Sequence, residues 1–287
     1  MRKAYFSLLF AIYILAVVVC CGSRGYLTIT GGIDIVTGLY NGNGGLITIF
    51  NTVLLVAPVL WFVMTILRRT GHEYPLRFRN TAISFFGVVT GLSILVCTAA
   101  NVLEFQWRIL YGIIPAPNIS TYLAAPLTRQ MFIMFCIRVC FGVLAALGMI
   151  LLSVKRNIGK AAFVGIFPAL WLLAVVLDRY VFYMAPTQIS ENLLAILFMT
   201  FASVFLLSQA RAICGFHRQG SRNILVPAGL TTSLIGFSYS LPKITALILN
   251  NAIPATPWDL AFMMCSLVLA IYSLLFVKCY IGAIKIV

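Results

Sequence analysis

Residues 131–153 read MFIMFCIRVCFGVLAALGMILLS, a run of 23 residues with one charge, Arg138. A helix needs about 20 mostly apolar residues to cross the hydrocarbon of a bilayer. Seven other runs have the same character: 4–21, 45–67, 81–100, 161–183, 191–209, 224–249 and 258–280. Over the whole chain of 287 residues, 62% are hydrophobic and 9% are charged. A soluble domain has about a quarter of its residues charged. This chain has too little polar surface to cover a water-soluble globule. The expected fold is an all-α polytopic membrane protein: a bundle of about eight transmembrane helices in a single domain over 1–287, with no soluble domain.

The cations say which way the chain is threaded. With the N-terminus placed inside, the inner segments carry Arg2, Lys3, Arg68, Arg69, Arg77, Arg79, Lys155, Arg156, Lys160, Arg211, Arg218, Arg222, Lys278 and Lys285. That is fourteen of the twenty Lys and Arg. Arg24, Arg108, Arg129 and Arg179 fall outside or at outer span ends, and Arg138 and Lys243 lie within spans. Every alternate loop obeys the positive-inside rule, so both termini are expected inside. The same rule explains the net charge of +14 without invoking nucleic acid. Met-Arg-Lys followed by an apolar run also resembles a signal peptide, with Cys21 and Ser23 at the −3 and −1 positions of a cut. That match is poor and the run is long, so a retained first span is expected.

The two inner loops at 68–80 and 211–223 resemble each other. Each carries arginines, then one of the chain's two histidines, His72 or His217, then Arg79-Asn80 or Arg222-Asn223. The Arg-Asn pairs are 143 residues apart. Four spans followed by four spans would give halves 1–153 and 154–287 in one orientation, a 4+4 duplication. Short basic loops also look alike for topological reasons alone.

Catalytic motifs are missing. There is no G-x-x-x-x-G-K-[ST] and no H-E-x-x-H. Two histidines cannot build a three-histidine metal site, and the eight cysteines contain no C-x-x-C. Cys136 and Cys140 share a helix face without further ligands and read as small buried hydrophobes. Six acidic residues spread along the chain do not suggest a paired-carboxylate hydrolase. Neither enzyme, cofactor nor metal is expected. The outer loop 26–45, with Gly31-Gly32 and Gly42-Asn43-Gly44-Gly45, reads as a flexible hairpin. The outer connection 101–130 is rich in aromatic residues and proline, as an interfacial segment would be.

Ionisable groups within spans usually face a bundle interior or a cavity. Arg138 lies about 10 Å from the outer end of the fourth span and Asp178 about 8 Å from that of the fifth, at 1.5 Å per residue. These spans are joined by a short loop, so an Arg138–Asp178 pair is expected. Lys243 falls at a similar depth in the seventh span, and Glu191 begins the sixth. The seventh span carries Gly236, Ser238, Tyr239, Ser240 and Pro242. A hydroxyl-rich helix broken at proline is a way to line a transport site.

The resulting expectation is a small-solute or ion transporter with an outward-facing polar site among helices 4, 5, 6 and 7. Its residues would be Arg138, Asp178, Lys243, Glu191, Ser238 and Tyr239, and its solute polar or anionic. The alternative is a non-catalytic membrane subunit, sensor or assembly factor. It would bind anionic lipid or a cytoplasmic protein through Arg68, Arg69, Arg77, Arg79, Arg211, Arg218 and Arg222. Short loops point to a prokaryotic plasma membrane.

Overall fold

A computed structural model describes residues 2–33, 40–67, 81–110, 126–154, 159–182, 189–213, 219–249 and 256–285. Eight helices account for nearly all of it: α1 Arg2–Ile29, α2 Gly44–Leu67, α3 Thr81–Leu110, α4 Pro126–Val154, α5 Phe167–Phe182, α6 Ile189–Ile213, α7 Gln219–Ile248 and α8 Pro257–Lys285. Seven of them, and α5 together with the four residues before it, contain a stretch long and apolar enough to cross a membrane. The protein is an all-α multi-pass membrane bundle.

The helices overrun several of the expected span limits. α1 continues eight residues past Cys21, and α3 continues ten past Ala100. Arg24 and Asn101 therefore belong to helices rather than to outer loops. Between α1 and α2, Asn41 N–H donates to Gly32 O at 2.8 Å, and Ile33 and Tyr40 form an isolated antiparallel bridge. Gly31 and Gly42 have φ of +72° and +75°, a region glycine enters without steric cost. The base of the loop at 26–45 is thus hairpin-like.

α5 is only 16 residues long, about 24 Å at 1.5 Å per residue. It is extended by a 3-10 segment, Gly159–Ile166, which rises about 2 Å per residue. Pro168, with no N–H to donate, stands in the first turn of α5, where that donor has no helical acceptor. The 3-10 segment lies close against α4: a Cβ on Gly148 would come within 2.8 Å of Val164 O.

Packing follows a ring. α3 contacts α4, α4 contacts α5, and so on through α6, α7 and α8, which returns to α3. α1 and α2 pack on each other and on α7. Helix association in lipid relies on close backbone approach through small residues. Gly87 and Gly91 of α3 supply it. A Cβ on Gly91 would meet Ala146 O at 2.9 Å, and one on Gly87 would meet Ser153 Oγ. Outside the ring, Leu15 and Leu55 are 67% and 69% exposed, which suits contact with acyl chains.

α7 is the least apolar of the eight, yet 83% of its span is buried. Its neighbours α1, α2, α6 and α8 shield Thr231, Thr232, Ser233, Ser238 and Ser240, all at 0% exposure. An unsatisfied polar group facing hydrocarbon costs several kcal/mol, roughly, so the polar helix takes the central position. α7 is not broken. It runs through both Pro227 and Pro242, contrary to the break expected at Pro242. Several of its hydroxyls bond to the helix's own carbonyls or to neighbouring side chains, whereas Thr231 Oγ1 has no partner among the described residues. Thr232 Oγ1 donates to Ala228 O and Ser238 Oγ to Leu234 O, each at 2.8 Å. Ser240 and Ser266 hydroxyls bond at 2.6 Å, as do Tyr13 and Ser233. α1 is integral to this arrangement, with Leu9 and Cys20 fully buried.

Candidate functional site: an ion-pair layer across the outer ends of the helices

Charged side chains gather at the end of the bundle that the cation count assigns to the outside. Helix ends meet there: the C-terminal parts of α1, α3, α5 and α7 and the N-terminal parts of α4, α6 and α8. Two groups form.

In the first, Arg138 Nη1 of α4 donates to Asp178 Oδ2 of α5 at 2.7 Å, and its Nη2 donates to Asn101 Oδ1 of α3 at 2.9 Å. The guanidinium also lies over the Trp258 ring of α8, 5.7 Å from the centroid. In the second, Glu191 of α6 is shared. Arg24 Nη2 of α1 donates to its Oε1, and Lys243 Nζ of α7 lies 2.8 Å from its Oε2. Lys243 Nζ stands 4.2 Å over the Tyr239 ring, and Arg24 covers Phe50 at 5.5 Å.

Arg179 and a row of rings connect the two groups. Arg179 Nη2 is 3.5 Å from Asp259 Oδ1, and its Nη1 donates to Asn192 Oδ1 at 3.1 Å. Its guanidinium lies 5.4 Å from the Phe262 centroid. Phe262 stacks on Trp258 at 5.7 Å and meets Tyr239 edge-on at 5.9 Å. Trp258, Phe262 and Tyr239 thus form one continuous aromatic row, and each ring carries a cation.

Local sequence explains the placement. Glu191 and Asp259 sit in the first turns of α6 and α8, where a carboxylate is favoured by the helix dipole. Asp259 is also half of a capping box. Its N–H bonds Thr256 Oγ1 at 3.2 Å, and Thr256 N–H reaches back to its Oδ2 at 3.3 Å, with Pro257 between cap and first turn. Arg24, Asp178 and Arg179 are nearly fully buried, at 1%, 5% and 8% exposure. Burial of such charges is tolerable only with partners and additional hydrogen bonds.

The structure therefore joins Arg138 to Asp178 and Lys243 to Glu191, and places Tyr239 beneath Lys243. Ser238 faces away toward α1, within hydrogen-bonding reach of Cys20 and Cys21. The inner loop residues Arg68, Arg69, Arg77, Arg79 and Arg218 lie outside the described residues, as does the side chain of Arg222. Arg211 is exposed in the last turn of α6.

Arg24, Asn101, Asn192 and Asp259 are absent from the expected site. Arg24 was masked by Gly22-Ser23-Arg24-Gly25, which reads as a loop. Asn101 directly follows the expected end of its span. Asp259 had a visible signal in Thr256-Pro-Trp-Asp259, the sequence form of a capping box. An open groove of about 450 Å³ lies between α1 and α2, and none of the ion-paired residues lines it. Val18, Val19, Gly22, Ser23, Leu46 and Ile49 are among its lining residues.

No protein family, curated protein or solved structure matches the chain.

Proposed function

We propose that this multi-pass membrane protein moves a small polar or charged solute, with the ion-pair layer as its outer closure and α7 as the wall of the path. One observation carries the reading. The least apolar helix is the most buried, and at its outer end Lys243 is paired with Glu191 of α6 while Tyr239 meets Phe262 of α8. A purely structural bundle would stay more stable with apolar residues at these positions, because buried ion pairs seldom outweigh their desolvation. Charge pairs between separate helices can exchange partners, and this suits a closure that opens.

Asp178 is the residue on which the proposal leans, as counter-ion to Arg138. The test is uptake into liposomes carrying the purified protein. A panel of labelled small anions, cations and neutral polar solutes is offered, with wild type beside Asp178→Asn. Uptake by wild type and its loss in the variant supports the reading. Unchanged uptake in the variant removes Asp178 from the mechanism. No uptake of any solute, with a cytoplasmic protein co-purifying in mild detergent, favours a membrane subunit that docks its partner through the basic inner loops.

A further inference from the structure

Among the described residues, four cations of the outer layer are held against an aromatic face: Arg24 on Phe50, Arg138 on Trp258, Arg179 on Phe262 and Lys243 on Tyr239. Three of these rings form the single row of Trp258, Phe262 and Tyr239. Ring faces attract cations and disfavour anions, because the π quadrupole is negative on the face. The carboxylates Asp178, Glu191 and Asp259 flank the same row.

The closest approach of a cation to a ring among these four is that of the Lys243 ammonium. It lies 2.8 Å from Glu191 Oε2 and 4.2 Å from the Tyr239 centroid. One carboxylate oxygen and one ring face offer an alkylammonium head an ion pair and a cation–π contact. Among the described residues of this layer, an anion has no equivalent place. Each cation already has a carboxylate or a ring, and the guanidinium nitrogens without an acceptor among the described residues, Arg24 Nε and Arg138 Nε, belong to the two separate groups.

We infer that the Lys243 ammonium is a tethered occupant of a site for a small organic ammonium compound, which displaces it onto Glu191 and Tyr239. This inference rests on the transport reading for its purpose but not for its chemistry. The exchange leaves the local charge unchanged: one ammonium departs and one arrives, while Arg24 stays on Glu191. Lys243 has somewhere to go. It lies five residues from the end of α7, with its side chain 15% exposed. Its four-carbon stem can carry the charge outward to the interface.

Binding of methylammonium and tetramethylammonium to the full-length protein in detergent is measured by calorimetry, with acetate as the anionic arm. Lys243→Met vacates the site and should tighten ammonium binding at least tenfold. Tyr239→Leu should weaken it at least tenfold, and Tyr239→Phe, which keeps the ring, should restore most of it. Acetate should not compete. Failure of both ammonium probes to bind Lys243→Met, or binding of similar strength in Tyr239→Leu and Tyr239→Phe, overturns the inference. So does acetate binding that ammonium does not affect. Ammonium binding without uptake into liposomes would sink the transport reading and leave this site standing. Uptake of anions alone would do the reverse.

Discussion

Glu191 joins Lys243 and Arg24 through different oxygens, Oε2 to the lysine and Oε1 to the arginine. One carboxylate thereby ties α1, α6 and α7 together at their outer ends. Glu191→Gln keeps the shape and removes the charge, leaving two cations facing each other. Removing one partner of a buried pair costs about 3–5 kcal/mol, and here one substitution orphans two. The melting temperature in detergent should fall further for Glu191→Gln than for Lys243→Met. The reverse order would show that the lysine, not the carboxylate, organises the junction.

Arg138 and Asp178 form the other strong pair, at 2.7 Å. Asp178→Asn should destabilise by about 3 kcal/mol, because Arg138 keeps a buried charge without a counter-ion. Combining it with Arg138→Gln should recover part of that loss. The double-mutant cycle is the measurement, and strict additivity would show that the two groups do not interact in the membrane.

Packing around α7 leaves no space at Gly236. A Cβ there would meet Ala270 Cβ at 2.8 Å, Phe198 Cε2 at 2.9 Å and Ser266 O at 3.2 Å. Gly236→Ala should cost about 1–3 kcal/mol, as overpacking does. Gly22→Ala meets nothing within 4 Å and should be close to neutral. Equal melting temperatures for the two variants would contradict the packing of α7 on α6 and α8.

Thr256 caps α8 and holds Asp259, which also faces Arg179. Thr256→Ala should lose about 1 kcal/mol for the cap. If the cap also positions Asp259, Arg179→Gln should be less harmful in the Thr256→Ala background than in wild type. Thermal unfolding of the four proteins decides it.

Threading is tested by labelling. On a background with the native cysteines replaced, Lys155→Cys and Arg218→Cys should react with an impermeant maleimide only after the membrane is opened. Asn118→Cys should react in intact cells. Labelling of Lys155→Cys and Arg218→Cys from different sides would dismantle the outer layer, since its members would no longer share a leaflet.

Much of this was readable along the chain. Runs such as 131–153 determine a membrane bundle by themselves, because backbone in hydrocarbon must satisfy its own hydrogen bonds within the helix. The pairing of Arg138 with Asp178 followed from depth and a short connection, both local properties. The hydroxyl content of α7 marked that helix as unusual. Tertiary structure alone decided that α7 is central, and that Arg24 reaches Glu191 across 167 positions of sequence. It alone placed Trp258, Phe262 and Tyr239 in one row carrying three cations. Periodicity and composition report what each helix can bury, whereas partner choice depends on which helices pack together, and helix packing in lipid is set by contacts between residues far apart in the chain.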